Sequence, residues 1–173
     1  MKSVDISLLM SVYIKEKPEY FRQSLKSALN QTVNVNEIVL ILDGPITDEL
    51  QEVIIDFKKD NLEVLKVVPL ESNVGLGKAL AVGVEVCKYD LIARMDTDDI
   101  MLPTRIEKQY LEFVNDPELA IIGSNIDEFY ESPGSIIGRR VVPESNLEIR
   151  NFSKKRNPFN HMTVMFKKKA VLD

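Results

Sequence analysis

Apolar and polar positions alternate between two periods along this chain. Residues 6–13 form a mostly apolar run suited to a buried strand. Pro18 then opens a stretch in which Phe21, Leu25, Ala28 and Leu29 share one helical face. "EIVLILDG" (37–44) predicts a second buried strand that ends in an aspartate and a turn. Leu50, Val53, Ile54 and Phe57 mark a second helix, with Thr47 or Asp48 as its N-cap. Residues 62–68 predict a third strand. Leu76, Leu80, Gly83, Val84 and Cys87 recur at helical spacing, and residues 90–95 predict a fourth strand. Pro103 suits the first turn of a fourth helix, with Leu102, Ile106, Tyr110 and Phe113 facing inward.

Repeated strand–helix units with continuously apolar strands predict an α/β fold, a mainly parallel sheet with helices on both faces. After Asn115 the pattern changes. "LAIIGSNIDEFYE", "SPGS" and "IIGRRVV" predict a β-hairpin in the C-terminal half, turning at Pro133-Gly134. Residues 145–154 read as a short helix and "HMTVMF" (161–166) as one more strand. The chain then stops at "FKKKAVLD", with no closing helix expected and the look of a piece of something longer. No internal repeat or linker divides it, so residues 1–173 read as one domain.

Composition narrows the classes. With 173 residues, 45 % of them hydrophobic and 28 % charged, the chain can bury a substantial core. A net charge of −5 disfavours a nucleic-acid partner. The lone cysteine, Cys87, sits in an apolar helical pattern and reads as core, and no Cys/His set is spaced for zinc. No apolar run approaches the roughly 20 residues of a membrane span. "MKSVDISLLMSVY" has an aspartate where a signal peptide would be apolar, so a cytoplasmic location is expected.

Candidate chemistry collects where the strands end, the edge at which open α/β sheets bind ligands. Ser11 and Tyr13 end the first strand, Asp43 the second, and residues 73–78 follow the third. Asp96, Thr97, Asp98 and Asp99 follow the fourth. A set of carboxylates without His or Cys suits Mg²⁺ or Mn²⁺, ions that bind substrate phosphates alongside one or two protein carboxylates. Helix capping accounts for one of these aspartates but not for three. "SNVGLGKAL" fails as a P-loop, because Ser72 and Ala79 stand where glycine and Ser/Thr are required. Lys78 in that loop is either a phosphate contact or a solvated lysine. Asp43 has two readings: it stabilises its own turn, or it accepts an N–H from a nucleobase. The three lysines 167–169 read as a solvated strand end.

Four blocks, "LLMSVYIKEKPEYFRQSLKSALNQT", "EIVLILDGPITDEL", "NVGLGKAL" and "ARMDTDDIMLPTRIEKQ", together resemble the family 2 glycosyltransferases, inverting enzymes of the Rossmann-like GT-A fold. The similarity runs from Ser7 to about Phe166. It implies a nucleotide-diphosphate-sugar donor, with residues 1–115 as the donor-binding half and 116–173 as the start of an acceptor half. Ser11 and Tyr13 match the contacts to base or ribose, and Asp43 matches the aspartate that recognises the base, usually uracil. Asn73, Gly75, Lys78 and Thr97 complete the donor set. Asp96 matches the DxD residue that faces ribose or sugar, and Asp98 the one that binds Mn²⁺ or Mg²⁺, with Asp99 as a third acid.

The family places its general base, an acidic residue, shortly after the strand that "HMTVMF" resembles. No matching pair follows it here, so the base is expected beyond Asp173 and the chain is expected to transfer sugar poorly alone. His161 falls on the acceptor side, either touching the acceptor or product phosphate or standing as a structural histidine. Relatives often carry two aspartates where this chain has Leu42-Asp43, asparagine at Ile14, and asparagine at Ala81. The resemblance suggests surface-polysaccharide or lipopolysaccharide assembly on a glycan or lipid-linked acceptor, with peripheral association at the inner membrane face. Two rivals lack their signatures. A sugar-1-phosphate nucleotidyltransferase needs a basic Gly-rich loop after strand one, and a metal-dependent adhesion module needs Asp-x-Ser-x-Ser there.

Overall fold

The computed structural model describes residues 3–130 and 132–172. In the first half, β1 (Ser3–Val12), α1 (Pro18–Leu29), β2 (Asn34–Leu42) and α2 (Asp48–Asn61) are followed by β3 (Leu65–Pro69), α3 (Leu76–Val86), β4 (Leu91–Arg94) and α4 (Arg105–Asn115). The second half holds β5 (Ile121–Ile122), β6 (Ile126–Phe129), β7 (Ile136–Arg140), α5 (Asn146–Ser153), β8 (Met165–Lys167) and α6 (Lys169–Leu172). Six strands form one sheet in the order β3-β2-β1-β4-β8-β5, with β1 to β4 parallel and β8 antiparallel to both its neighbours. β6 and β7 pair as a separate antiparallel hairpin.

Alternation along the strands explains why the sheet is covered twice. Leu8, Met10, Val12, Leu40 and Leu42 face one way, into a core completed by Phe21 and Leu25 of α1, Leu50 and Ile54 of α2, and Ile106 and Phe113 of α4. Leu9, Val39 and Ile41 face the other way and meet Ala79 and Val84 of α3, with Ile92 and Phe166 beside them. Each such side chain contributes roughly 1.5–3 kcal/mol on burial, enough to outweigh the helix-propensity cost of two glycines in α3. One of them is required: a Cβ on Gly83 would stand 2.3 Å from Leu9 Cδ1, so glycine lets α3 approach the sheet.

Several expectations are corrected. The third strand begins at Leu65, and Leu62 is 70 % exposed as the cap of α2. In α3 the buried face runs through Ala79, Gly83 and Val84, leaving Leu76 exposed and Leu80 half-buried, because Gly83 sets where the helix touches. α4 starts at Arg105, after Pro103 instead of with it. Leu102 is exposed and Gln109 takes an inward place, because the turn before α4 is spent on backbone ties to the α1 end: Thr32 N–H donates to Pro103 O at 2.8 Å and Gln31 Nε2 to Leu102 O at 3.0 Å. Ile121 and Ile122 leave the expected hairpin and pair with β8. Residues 161–166 split into a 3₁₀ turn (His161–Thr163) and β8, since Thr163 bonds back to Asn160 O through both its N–H and its hydroxyl. A short helix, α6, follows β8 where none was expected.

Among the described residues no helix is long and apolar enough to cross a membrane.

Candidate functional site

In the order β3-β2-β1-β4 the chain steps outward from β1 to β3 and then returns to the other side of β1 with β4. The topological switch point therefore lies between β1 and β4, where parallel sheets open a crevice at their carboxyl ends. Ser11 and Tyr13 stand at the end of β1 and Asp96 to Asp99 at the end of β4. Asp43 and residues 73–78 stand at the ends of β2 and β3, on the same edge.

The acidic turn is held from below by α1. Ser24 and Gln31 are buried polar residues of the α1 face and the turn after it. Ser24 Oγ donates to Asp96 O at 2.9 Å, Ser27 Oγ accepts from Met101 N–H at 3.0 Å, and Gln31 Oε1 accepts from Ile106 N–H at 3.2 Å. Thr97 is buried, and its hydroxyl donates to Glu16 Oε2 at 2.5 Å in the β1–α1 loop and, at 3.4 Å, towards Ser11 O. Its side chain thus ties two loops together instead of facing the crevice. Sequence patterning missed Ser24, Ser27, Gln31 and Glu16; a signal was available for Ser24, a polar residue set into the apolar stripe of α1.

One carboxylate oxygen from each of Asp96, Asp98 and Asp99 lies within 4.8 Å of the others, with Asp98 exposed and the other two half-buried. Two cations answer part of this charge. Arg94, buried at the end of β4, donates through Nη2 to Asp96 Oδ1 and through Nη1 to His161 Nδ1. Arg105 donates to Arg94 O at 2.8 Å and to Gln109 Oε1 at 3.1 Å. Burial lowers the Arg105 pKa to about 10, so it stays cationic at neutral pH. Burial, then the neighbouring Asp96 and Asp98, push Asp99 up to about 6 in spite of both arginines. Its Oδ2 is buried without a hydrogen-bond partner. An all-oxygen set, net negative and with one orphaned oxygen, fits a hard divalent cation.

Asp43 sends its carboxylate bonds to a distant loop instead of to its own turn. Its Oδ1 accepts from Val74 N–H at 2.7 Å and its Oδ2 from Gly75 N–H at 3.1 Å, while Asn73 Nδ2 donates to Asp43 O at 3.2 Å. Gly44 makes the approach feasible: φ is +85°, and a Cβ there would meet Asn73 N at 2.6 Å. The loop that opens α3 is thereby fixed beside the end of β2. Tyr13 and Lys78 are exposed and Ser11 is half-buried. His161 belongs to the acidic turn's surroundings, with Nδ1 3.9 Å from Asp96 Oδ2. Asp173 lies outside the described residues. Cys87 is buried, and burial raises its thiol to about 11, which suits packing and not nucleophilic chemistry.

Comparison with known proteins identifies the family and the fold. A family model described as "Glycosyl transferase family 2" matches residues 7–172. The chain is 46 % identical over 166 residues to the amylovoran biosynthesis glycosyltransferase AmsE of Erwinia amylovora, covering 96 % of this chain and 61 % of the relative. It is 37 % identical to the Escherichia coli UDP-Gal:alpha-D-GlcNAc-diphosphoundecaprenol beta-1,3-galactosyltransferase, covering 96 % and 59 %. The chain thus spans about three fifths of the length of the curated relatives it matches. The crystal structure of S. aureus TarS 1-349 in complex with UDP-GlcNAc superposes with a TM-score of 0.67 at 20 % identity, covering 95 % of this chain and 46 % of that one. At that identity the likeness carries the fold, a GT-A architecture.

Proposed function

The chain belongs to glycosyl transferase family 2, and from that premise we propose that it binds a nucleotide-diphosphate-sugar, with UDP as the nucleotide, for inverting transfer of the sugar to an acceptor hydroxyl in surface-polysaccharide assembly. The observation that carries this reading is the carboxylate cluster at the β1/β4 switch point, on the same sheet edge as the loop that opens α3 and is held by Asp43. The UDP-sugar named for one relative and the one bound in a structural neighbour favour uracil, and so does a carboxylate at Asp43, whose oxygens keep lone pairs beyond those given to Val74 and Gly75.

In this reading Ser11, Tyr13 and Asp43 meet the base and ribose. Asn73, Gly75 and Lys78 line the path of the diphosphate, where the N-terminus of α3 favours negative charge. Asp98 and Asp96 hold Mn²⁺ or Mg²⁺, and Asp99 steadies them. A divalent cation so bound supplies Lewis-acid neutralisation of the leaving nucleoside diphosphate. Asp96, turned by Arg94, faces the sugar. The acceptor hydroxyl attacks the anomeric carbon from the face opposite the leaving group, a glycan or lipid-linked acceptor entering on the His161 side. The base that takes its proton contributes roughly 10²–10⁴-fold and is not assigned to a described residue.

Charge distribution supports peripheral association with the inner membrane face. Residues 136–173 carry nine Lys/Arg against three Asp/Glu, whereas the preceding 135 carry thirteen against twenty-four.

Calorimetric titration of UDP, GDP and TDP, each with and without Mn²⁺, tests the donor reading. Binding of UDP that requires Mn²⁺ and falls at least about tenfold in Asp98→Ala is expected, since truncation leaves the ion short of a ligand. Metal-independent binding, or an unaffected Asp98→Ala, refutes the metal assignment. Preference for GDP or TDP refutes the uracil assignment.

A further inference from the structure

Side chains between β1 and the end of α1 hold the acidic turn in place. Ser24 Oγ donates to Asp96 O at 2.9 Å, Ser27 Oγ accepts from Met101 N–H at 3.0 Å, and Thr97 Oγ1 donates to Glu16 Oε2 at 2.5 Å. The two serines belong to α1, so their ties join the turn to a helix. Glu16 belongs instead to the loop between β1 and α1, the loop that carries Tyr13. Its N–H donates to Tyr13 O at 3.1 Å, closing a turn in which Tyr13 is 43 % exposed. Its other carboxylate oxygen accepts from Lys17 N–H at 2.8 Å, at the N-cap of α1.

Thr97 stands between Asp96 and Asp98, and it is 3 % exposed. A hydroxyl has one hydrogen to give. Glu16 Oε2 takes it, with Ser11 O as a distant second acceptor at 3.4 Å. A bond from a hydroxyl to a carboxylate is short and roughly twice as strong as one between neutral groups. A fourth carboxylate joined to a turn that already holds three adds repulsion that a neutral acceptor would avoid, and a bound cation offsets it. The loop beside the first strand and the acidic turn beside the fourth are thus joined by one charged bond, across the switch point.

We propose that the bond between Glu16 and Thr97 is a clasp that makes nucleotide and cation binding reinforce each other. This deepens the reading of the crevice as a nucleoside-diphosphate site and rests on it. The clasp holds the Tyr13 loop in register with Asp96 and Asp98, so that one ligand meets the loop with its nucleoside and the cation with its phosphates. Without the clasp, the ligand itself has to order loop against turn, and part of its binding energy goes into that ordering. Glu16 and Thr97 are then positioning residues. They act through Tyr13 on one side and through the two aspartates on the other.

The test uses the full chain and two replacements of one hydroxyl. Thr97→Val removes it and leaves Glu16 its bond to Lys17, whereas Thr97→Ser keeps it. In the ligand-free chain with EDTA, hydrogen exchange of the Glu16 and Lys17 amides, read by NMR, should rise about tenfold in Thr97→Val and stay within about threefold of wild type in Thr97→Ser. Calorimetry gives UDP affinity with Mn²⁺ and with EDTA, and the ratio of the two reads the coupling. That ratio should fall about tenfold in Thr97→Val, the loss of one hydrogen bond to a charged group, and stay within about threefold of wild type in Thr97→Ser. Glu16→Ala combined with Thr97→Val should lower it no further than Thr97→Val alone, since both cut the same bond. An unchanged ratio or unchanged amide exchange in Thr97→Val overturns the proposal, and so does a full sum of the two effects in the double variant. A merely structural bond would lower the unfolding temperature and leave the ratio where it was. The donor reading is judged by the wild type: if it binds none of UDP, GDP or TDP, that reading fails and the clasp loses its ligand with it. Wild-type UDP binding that depends on Mn²⁺, with an indifferent Thr97→Val, condemns the clasp alone.

Discussion

At the scale of single residues, three carboxylates share one turn, and Arg94 and Arg105 offset only part of their charge. Asp99 carries the remainder. Its pKa rises from the ordinary aspartate value of roughly 3.9 to about 6. The sign follows from proton binding. Between these values the folded chain keeps the Asp99 proton and the unfolded chain releases it. The stability Asp99 contributes is thus full below about pH 4 and is lost as pH climbs through about 6. After allowance for solvent screening, the loss is roughly 1–2 kcal/mol. Asp99→Asn should therefore be more stable than wild type by about 1 kcal/mol in urea unfolding at pH 7.5 with EDTA, and the difference should vanish near pH 4. A less stable variant at pH 7.5 would mean that the two arginines favour the Asp99 anion more than burial opposes it. The carboxylates themselves were legible in the sequence, because three aspartates at the end of an apolar strand have no full explanation as caps. Arg94 and Arg105 were not. Arg94 is one charged residue at the end of an apolar strand and Arg105 one in an amphipathic helix, and folding brings Arg105 to the Arg94 carbonyl and Arg94 to His161.

At the scale of elements, the sheet does most to shape the crevice, and two loops finish it. Strands β1, β2 and β4 were legible because runs buried on both faces leave little room for another reading. The later elements were less so. Two isoleucines at 121 and 122 pair with β8 in the main sheet, and nothing local distinguishes that partner from the neighbouring hairpin. The junction of β2 with the loop before α3 rests on Asp43 and Gly44. Alanine at Gly44 has to adopt φ near +85° and place its Cβ 2.6 Å from a backbone nitrogen, which no side-chain rotation relieves. Gly44→Ala should lose about 2–4 kcal/mol of stability and weaken UDP binding at temperatures where the variant is still folded. Thermal unfolding by circular dichroism and calorimetry at low temperature read the two effects separately. A variant as stable as wild type would show that the loop can withdraw from Asp43 at little cost, and the anchored loop could not then be a preformed part of the donor site.

At the scale of the whole molecule, charge is sorted along the chain: acidic in the part that carries the carboxylate crevice and basic beyond residue 135. Folding decides how much of the basic excess faces outward unpaired with acids. On the hairpin Arg139 bonds Asp127 and Arg140 bonds Glu128, so those charges are matched locally. Around α5 the arrangement differs. Arg150 rests on Asn146, Lys154 on Asn151, and Arg156 over the Phe152 ring, partners without charge, while Leu147 nearby is 70 % exposed. A surface of exposed cations beside an apolar side chain suits the headgroup region of an anionic bilayer, where each Lys or Arg is worth about 1 kcal/mol. The chain should co-sediment with vesicles containing phosphatidylglycerol and not with pure phosphatidylcholine. Salt of about 0.5 M should release it, because screening shortens the reach of these charges to a few ångströms. Replacing Lys154, Lys155 and Arg156 together by glutamate should abolish sedimentation while leaving calorimetric UDP binding intact, since α5 contributes no residue to the carboxylate crevice. Equal binding to neutral vesicles, or binding indifferent to salt, would assign the attachment to apolar contact through Leu147 and its neighbours instead of to charge.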